Sequence, residues 1–242
     1  MAISRAQLVK ELEPGLNALF GLEYKRYENQ HAEIYVTESS DRAFEEEVML
    51  SGFANADVKA EGQGISYDEA QETYTARYTM ETIALAFAIT EEAIEDNLYD
   101  RLASRYTKAL ARSMASTKNL KGANVLNNGF YSATNPTFGD GKVLITTDHP
   151  TLSGDQRNVI STAADLNETS LETAIIDIAN FKDERGLRVA ATARKMIIPV
   201  NVQFAAERLM KSEGRIGTAD NDINAIKSMG VVSGGFHVNN YL

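Results

Sequence analysis

One long helix signal constrains this chain more than any other feature. No proline occurs between residues 90 and 128, and an acidic beginning gives way to basic side chains in the second half. Thr90 is a suitable N-cap, and this order of charges suits the helix dipole at both ends. A helix from 90 to about 126 would be ~55 Å long, whereas a compact globule of this chain length is roughly 45 Å across. We therefore predict an elongated subunit that this helix stiffens.

The apolar residues of this helix form a thin stripe without sustained heptads, which disfavours a long coiled coil as the alternative. They recur near helical spacing at Ile94, Leu98, Leu102, Ala109, Met114 and Leu120.

A long β-hairpin is predicted before the helix. Residues 48–58 and residues 74–80 both alternate in polarity, and a polar turn segment with two glycines separates them. An isolated two-stranded ribbon is only marginally stable in water, so we expect the hairpin to pack against its own domain or another surface. Residues 82–89 stay extended, but their larger side chains change parity near Glu81, which indicates a bulge there.

The N-terminal segment carries apolar side chains that must be buried against another surface. Ser4 and Gln7 form a capping box for a first short helix, which Pro14 and Gly15 are expected to interrupt. The sequence leaves open whether the second stretch docks on its own chain or on a neighbouring copy. Its apolar residues are Leu16, Leu19, Phe20, Tyr24 and Tyr27.

The second half mixes strand and helix signals, so the fold class is α+β. The predicted order is a turn at Asp140–Gly141, a strand from Val143 to Thr146, a turn over 150–154, a helix with a Thr169/Glu172 capping box that Gly186 ends, a strand over 187–198 and a helix introduced by Pro199.

Composition excludes several classes of protein. The chain has no cysteine, so disulfides and thiolate metal sites are unavailable. No run of eighteen apolar residues exists and the start lacks a secretory signal, so we expect no membrane span and a protein made in a cytoplasm. With 24 Lys+Arg against 34 Asp+Glu, the formal net charge of −10 disfavours a sequence-independent grip on nucleic acid.

The motifs that invite an enzymatic interpretation are incomplete. Asp148, His149 and Ser153 lie close in sequence, but geometry defines a catalytic triad, and no nucleophile-elbow motif accompanies them. A polar turn is the preferred interpretation. The segment Gly141–Lys142 lacks the upstream glycine of a phosphate-binding loop.

A calcium loop is likewise incomplete. Asp220, Asp222 and Asn224 match its first ligand positions, yet Ala225 and Val231 stand where glycine and a bidentate glutamate are required. We predict no catalytic residue, no cofactor and no metal site, and hence no enzyme.

Three stretches carry a resemblance to a known family. They are "LITTDHPTLSGDQRN", "DLNETSLETAI" and "MIIPVNVQFAAERLM", followed by "DNDINAI". In these stretches the chain resembles the major capsid proteins of tailed bacteriophages and prophages, over about residues 40–242 and most strongly over 143–226. The family fold is named after the Hong Kong 97 phage shell. The resemblance implies a flat shell subunit, whose stiffener would be the long helix.

The resemblance also implies a division of roles along the chain. Residues 1–45 would form an N-terminal arm, 46–82 an extended loop, 83–166 a peripheral domain with a spine helix at about 90–126, and 167–242 an axial domain. The residues predicted to serve assembly are Lys59, Glu61, Gly62, Gly64, Tyr67, Tyr24 and Tyr27.

The function implied is a major capsid protein that self-assembles into pentamers and hexamers of an icosahedral head in the virion, built in the host cytoplasm. Packaged double-stranded DNA would be confined rather than gripped. Other partners would be a separate scaffolding protein, a portal and a decoration protein. The alternatives are an encapsulin-like compartment, and a soluble enzyme or binding protein with an unrecognised site.

Two departures from the family pattern matter. Relatives continue for several tens of residues beyond the final "FHVNNYL", so we expect a further C-terminal segment. Some relatives cross-link their shells through a Lys–Asn isopeptide bond. Lys59 lies near the loop tip, but no motif identifies an asparagine partner, so we do not predict this cross-link for the chain.

Overall fold

The structure, a computed structural model, describes residues 5–88, 99–131, 139–215 and 222–242, with side chains from residue 15 in the first helix and from residue 102 in the long one. Helices and strands are mixed along the chain. In order they are α1 (Arg5–Arg26), a 3-10 helix (Gln30–Glu33), β1 (Phe44–Leu50), β2 (Glu72–Thr79), α2 (Tyr99–Asn127), α3 (Glu168–Ala179), β3 (Met196–Pro199), a 3-10 turn (Val200–Val202), α4 (Gln203–Lys211), α5 (Ala225–Met229) and β4 (Phe236–Asn239).

Contacts divide the chain into two compact units. The first unit consists of Met1–Glu38 and Glu81–Ala123, and the second of Ser39–Met80 and Asn124–Leu242. Each unit is therefore built from two separate stretches of sequence. Within the described residues, no helix is both long and apolar enough to cross a bilayer.

In the first unit, α1 continues through Pro14 and Gly15, so the predicted interruption is wrong. A proline inside a helix removes one hydrogen-bond donor and strains one turn, but the flanking turns keep their own bonds. The carboxylate of Glu23 secures the end of α1, because it pairs with Arg26 at 3.0 Å and with Lys108 of α2 at 3.6 Å. Ser4, the predicted capping residue, lies outside the described residues.

The long helix α2 confirms the predicted helix from residue 99 onward, while its predicted first turns, with Thr90, lie outside the described residues. Its 29 residues correspond to ~43 Å. It runs through Gly122 without a break. A side chain there would lie 2.9 Å from the Cβ of His31, so glycine permits the close approach of that segment.

The buried face of α2 differs from the predicted apolar stripe. Leu120 and Ala109 are exposed, and Leu102 and Met114 are only half-buried. The buried residues are small and recur every four positions, which lets another backbone come close. Asn119 shows this contact: its side chain donates to the Glu28 carbonyl at 2.9 Å and hydrogen-bonds the ring of His31 at 2.8 Å. The row comprises Ala103, Thr107, Ala111, Ala115, Asn119 and Ala123.

In the second unit, β1 and β2 form the predicted antiparallel hairpin, but β1 ends at Leu50 rather than at Val58. The ladder runs from Phe44↔Thr79 to Leu50↔Glu72, with an irregular register between Val48 and Leu50 and not near Glu81. Residues 82–88 belong to no strand, contrary to prediction. Alternation indicates which side chains share a face, but it does not show whether a partner strand is present.

The predicted strand at Val143 to Thr146 is wrong, because a side chain takes the place of a partner strand. The amide of Asn158 donates to the Leu144 carbonyl at 2.7 Å and accepts from the Thr146 N–H at 3.0 Å. The predicted turns on either side are present, with φ of +76° at Gly141 and +114° at Gly154.

The N-cap of α3 lies two residues before the predicted one. Asn167 is the N-cap and exchanges hydrogen bonds with Ser170, so the Thr169/Glu172 capping box is wrong. The helix ends at Ala179, and Gly186 lies instead in a later turn with φ of +85°. Among its apolar side chains, Leu171 is buried, and Ala174, Ile175 and Ile178 are half-buried.

The predicted strand over 187–198 is shorter than expected. Ala190 has a φ of +52°, which interrupts any extended run, and β3 begins only at Met196. This strand pairs in parallel with β4, from Met196↔Phe236 to Pro199↔Asn239. As predicted, Pro199 introduces helical structure, first a 3-10 turn and then α4.

Asn224, a candidate calcium ligand in the sequence, instead joins α4 to α5. Its side chain accepts from the Lys227 N–H at 3.3 Å as the N-cap of α5, and donates to the carbonyls of Leu209 at 2.7 Å and Ser212 at 3.2 Å. It is only 4% exposed. Among the described residues no group of three acidic or histidine side chains could hold a metal; Asp220 lies outside them.

We expect Asn224→Ala to lower the free energy of unfolding by about 1–3 kcal/mol, because it removes a cap and leaves carbonyls buried without a donor. Urea denaturation of the subunit measures this. The control is Asn201→Ala, an exposed asparagine of the same unit, for which we expect a change within about 0.5 kcal/mol. Equal losses in the two variants would contradict the structural role of Asn224.

Candidate assembly surfaces

The loop between β1 and β2, residues 51–71, is closed at its base by a narrow neck. The Ser51 N–H donates to the Gln71 carbonyl at 2.8 Å, and the Gln71 N–H donates back to the Ser51 hydroxyl at 2.9 Å. Ser51 is 2% exposed. Further out, the Ala54 N–H donates to the carboxylate of Asp68 at 2.7 Å. Side-chain hydrogen bonds therefore connect the two sides of the loop beyond the last backbone pair, Ser51 with Gln71.

Arg185 clamps both sides of this neck from the turn after α3. Its guanidinium donates to the Gly52 carbonyl at 3.2 Å and to the Glu69 carbonyl at 2.5 Å, and it lies 3.4 Å from Asp68. No role was predicted for Arg185, because "DERG" is typical of an ordinary solvated turn. A guanidinium suits the role since it carries several donors in one rigid plane.

The carboxylate of Asp68 is held in its charged form. The hydrogen bond from the Ala54 N–H is the largest influence and lowers the pKa of Asp68 below its ordinary value. The Glu69 N–H and the charge of Arg185 lower it further, and together they outweigh partial desolvation. The neck therefore keeps this ion pair at neutral pH, and loses it only as the pH falls through the lowered pKa.

Beyond the neck, the loop tip, residues 53–67, exposes apolar side chains to solvent. Val58 is 99% exposed, Tyr67 96% and Ile65 74%. The predicted assembly residues Lys59, Glu61, Gly62 and Gly64 lie in the same exposed tip, and Gly62 has a φ of +82° at its turn. Soluble proteins seldom expose neighbouring large apolar groups without a partner that covers them.

The two other predicted assembly residues lie in the first unit. Tyr24 is in α1, where its ring stacks on Phe20 at 5.8 Å, and Tyr27 follows the helix end. Both are half-buried by their own chain. The structure thus brings the five loop residues together and places the two tyrosines in a different unit.

The residues Asp148, His149 and Ser153 do not assemble into a triad. His149 pairs through Nδ1 with Asp140 at 2.6 Å, whereas Asp148 pairs with Lys142 and Thr146. Ser153 hydrogen-bonds Thr151 at 3.2 Å. Burial raises the pKa of Asp140, but the hydrogen bond from His149 and a backbone N–H give a net lowering. This cluster stabilises the turns beside the hairpin.

A groove of about 690 Å³ lies in the second unit between the hairpin and these turns. The hairpin contributes Val48, Met49, Tyr74 and Ala76 to one wall. The opposite side includes His149, Phe181, Glu184 and Val189. The hydroxyl of Tyr74 donates to the Pro150 carbonyl at 3.0 Å, which fixes the hairpin against the turns at this point.

We expect Arg185→Ala to loosen the neck while the rest of the unit stays folded. Because this variant loses charge-assisted hydrogen bonds, we expect amide exchange at residues 51–54 and 68–71 to become at least about tenfold faster. Hydrogen–deuterium exchange with mass spectrometry measures this. Arg188→Ala is the matched control, since Arg188 comes from the same turn but donates to Asn180 at 2.8 Å. Unchanged exchange at the neck would contradict the clamp.

A family model described as phage capsid protein matches residues 72–241 of the chain. No curated protein matches the sequence significantly.

Solved structures similar to this one come from bacteriophage JBD30. Its procapsid computed in I4 symmetry matches with a TM-score of 0.63 at 15% identity, over 99% of this chain and 100% of that one. Its capsid matches at 0.60 and 13%, over 84% and 87% of the two chains. Its capsid decorated with minor capsid protein trimers matches at 0.59 and 13%, over the full length of both. At such low identity, the likeness concerns the fold.

Proposed function

The chain belongs to the phage capsid protein family, and from that premise we propose that it is the major shell subunit of an icosahedral phage head. In this proposal copies of the chain form pentamers and hexamers in the host cytoplasm, and the closed shell encloses packaged double-stranded DNA. The subunit acts through interfaces rather than through catalysis.

The observation that carries the proposal is the loop with a fixed neck and an exposed apolar tip. Arg185, Asp68 and Ser51 fix the position from which the loop leaves the unit. The tip then leaves Val58 and Tyr67 almost wholly in water. A pinned base makes the tip a directed projection, and burial of its side chains on another copy would supply the hydrophobic stabilisation that the subunit alone lacks.

Roles along the chain follow the family resemblance. We assign residues 1–45 to an arm over neighbours, 46–82 to the extended loop, 83–166 to the peripheral domain and 167–242 to the axial domain. The unbroken helix α2 supports the spine role, because a hydrogen-bonded rod of 29 residues is stiff along its length. Tyr24 and Tyr27 would contribute their exposed edges to contacts of the arm.

We propose that the shell encloses the DNA without binding it, because of the net charge of the chain. The net charge of −10 opposes general attraction to phosphates. The basic half of α2 is partly neutralised within the first unit, because Lys108 pairs with Glu23 and Lys121 pairs with Glu81. A scaffolding protein, a portal and a decoration protein complete the proposed set of partners. For the last of these, the JBD30 capsid with its minor capsid protein trimers offers a structural parallel.

The test replaces residues 58–67 with a short Gly-Ser turn, which removes the exposed Val58, Ile65 and Tyr67 but keeps Asp68 and Glu69 in the neck. We expect a subunit with normal thermal unfolding that forms no closed shells, as judged by negative-stain electron microscopy and light scattering. Replacement of residues 60–70 has the same expected outcome but spares Val58 and also removes neck contacts.

The control for this test is Met229→Ser, which removes an apolar side chain that is 74% exposed in α5. We expect this variant to assemble as the parent does. Normal shells from the loop variant would contradict the proposed role of the loop, and a monomeric parent that turns over a small molecule would contradict the shell function itself.

A further inference from the structure

The basic half of α2 lies in a part of the sequence without negative charge. No Asp or Glu occurs among residues 101–139, although the whole chain has a formal net charge of −10. Charge is therefore segregated along the chain, which is typical of a surface that meets a partner of opposite sign. The basic residues of this stretch, all in α2, are Arg101, Arg105, Lys108, Arg112, Lys118 and Lys121.

Three of these residues, Arg105, Lys108 and Arg112, form a basic row on one face of α2. They are spaced by three and four residues, so their side chains are neighbours on the helix surface, and all three are exposed. The basic row extends ~10 Å along the helix axis. Like charges at these spacings repel each other and destabilise a helix. An anion bound between them would relieve this repulsion.

The chain itself supplies one carboxylate to the basic row. Glu23 of α1 lies 3.6 Å from Lys108, but it also pairs with Arg26 at 3.0 Å, so its charge is shared. Among the described residues, none forms an ion pair with Arg105 or Arg112. The pair of Glu23 with Lys108 shows that a carboxylate can approach the basic row, and it leaves the two guanidinium groups for an incoming anion.

An open pocket of about 520 Å³ lies beside the basic row, where Tyr27 meets α2. Lys108 and Arg112 supply its cations, and none of the described residues that line it is acidic. Cations together with hydroxyl donors are the groups that bind carboxylates and phosphates. The lining residues with hydroxyl groups are Tyr27, Ser113, Ser116 and Thr117.

The charge of the rest of the molecule favours a short acidic peptide over nucleic acid as the ligand. Duplex DNA carries one charge per about 1.7 Å of its axis and extends well beyond the basic row, so its phosphates would also meet the acidic remainder of the subunit. The Debye length in physiological salt is about 8 Å. A peptide that stays on the row is therefore affected mainly by the nearby cations.

We propose that the basic row and its pocket bind an acidic peptide segment of a partner protein. Asp or Glu side chains of that segment pair with Arg105 and Arg112, and they compete with Glu23 for Lys108. The inference goes beyond the proposed function, because neither the closed shell nor the loop between β1 and β2 takes part in this contact. Exposed ion pairs are individually weak, so several must form together.

Fluorescence anisotropy with a fluorescein-labelled octaglutamate peptide tests the site on the full-length, unassembled subunit. Arg112→Gln should weaken binding of this peptide by at least about threefold, and the triple variant Arg105→Gln, Lys108→Gln, Arg112→Gln by at least about tenfold. The control is Lys118→Gln, which removes the same charge from the same helix, about 120° around the axis from Arg112. We expect this control to bind the peptide as the parent does.

Glu23→Gln gives a second result that a purely structural role of the row would not produce. It removes the carboxylate that competes for Lys108, so the peptide should bind at least about threefold more tightly. Circular dichroism checks that the helices are retained. Weaker or unchanged binding by a folded Glu23→Gln subunit would contradict the competition.

Two outcomes would overturn the proposal. One is a parent subunit that does not bind the peptide, or an Arg112→Gln variant that binds it as tightly as Lys118→Gln. The other is tighter binding of a duplex DNA oligonucleotide than of the peptide, lost again in Arg112→Gln, which would make the row a phosphate site. Shell formation by the same preparations is scored by electron microscopy. Normal peptide binding without shells would contradict the proposed function alone, and shells without peptide binding would contradict this inference alone.

Discussion

The constraint on which this molecule depends is the end of the β1–β2 ladder at Leu50 and Glu72. One further backbone hydrogen bond joins Ser51 to Gln71, and beyond it a few side chains determine the path of the loop. Arg185 reaches two backbone carbonyls on opposite sides of the neck, and Asp68 reaches the N–H of Ala54. These contacts fix the direction of the loop without burying its tip. The result is a projection whose apolar side chains are exposed to solvent.

In the first unit, the long helix α2 packs in close contact with the neighbouring segment of the chain. Its buried row consists of small residues, so the approaching backbone can come near, as Gly122 and His31 show. Polar contacts from Asn119 and Glu23 then fix the position of the chain around the end of α1. Each small side chain buries little apolar surface. Close approach and specific hydrogen bonds therefore fix the position of this helix, rather than the burial of large side chains.

Much of the fold follows from the sequence because periodicity and turn chemistry are local properties. The long helix, the hairpin and the mixed second half were predicted on those grounds. Several of the failures share one cause, namely that a side chain supplied a hydrogen bond that the polarity pattern does not reveal. Asn158 replaced a strand at Leu144 and Thr146, Asn167 with Ser170 moved the start of α3, and Asp68 engaged the N–H of Ala54 where a strand was expected. The exposed loop tip was predictable, but the role of Arg185 was not, because it depends on tertiary neighbours.

We propose that the loop tip is buried against other copies of the chain. Cryo-electron microscopy of shells assembled from the purified protein tests it most directly. We expect density for residues 53–67 against the surface of an adjacent subunit, with Val58 and Tyr67 removed from solvent. Well-ordered shells in which the tip of every subunit projects into solvent would contradict it.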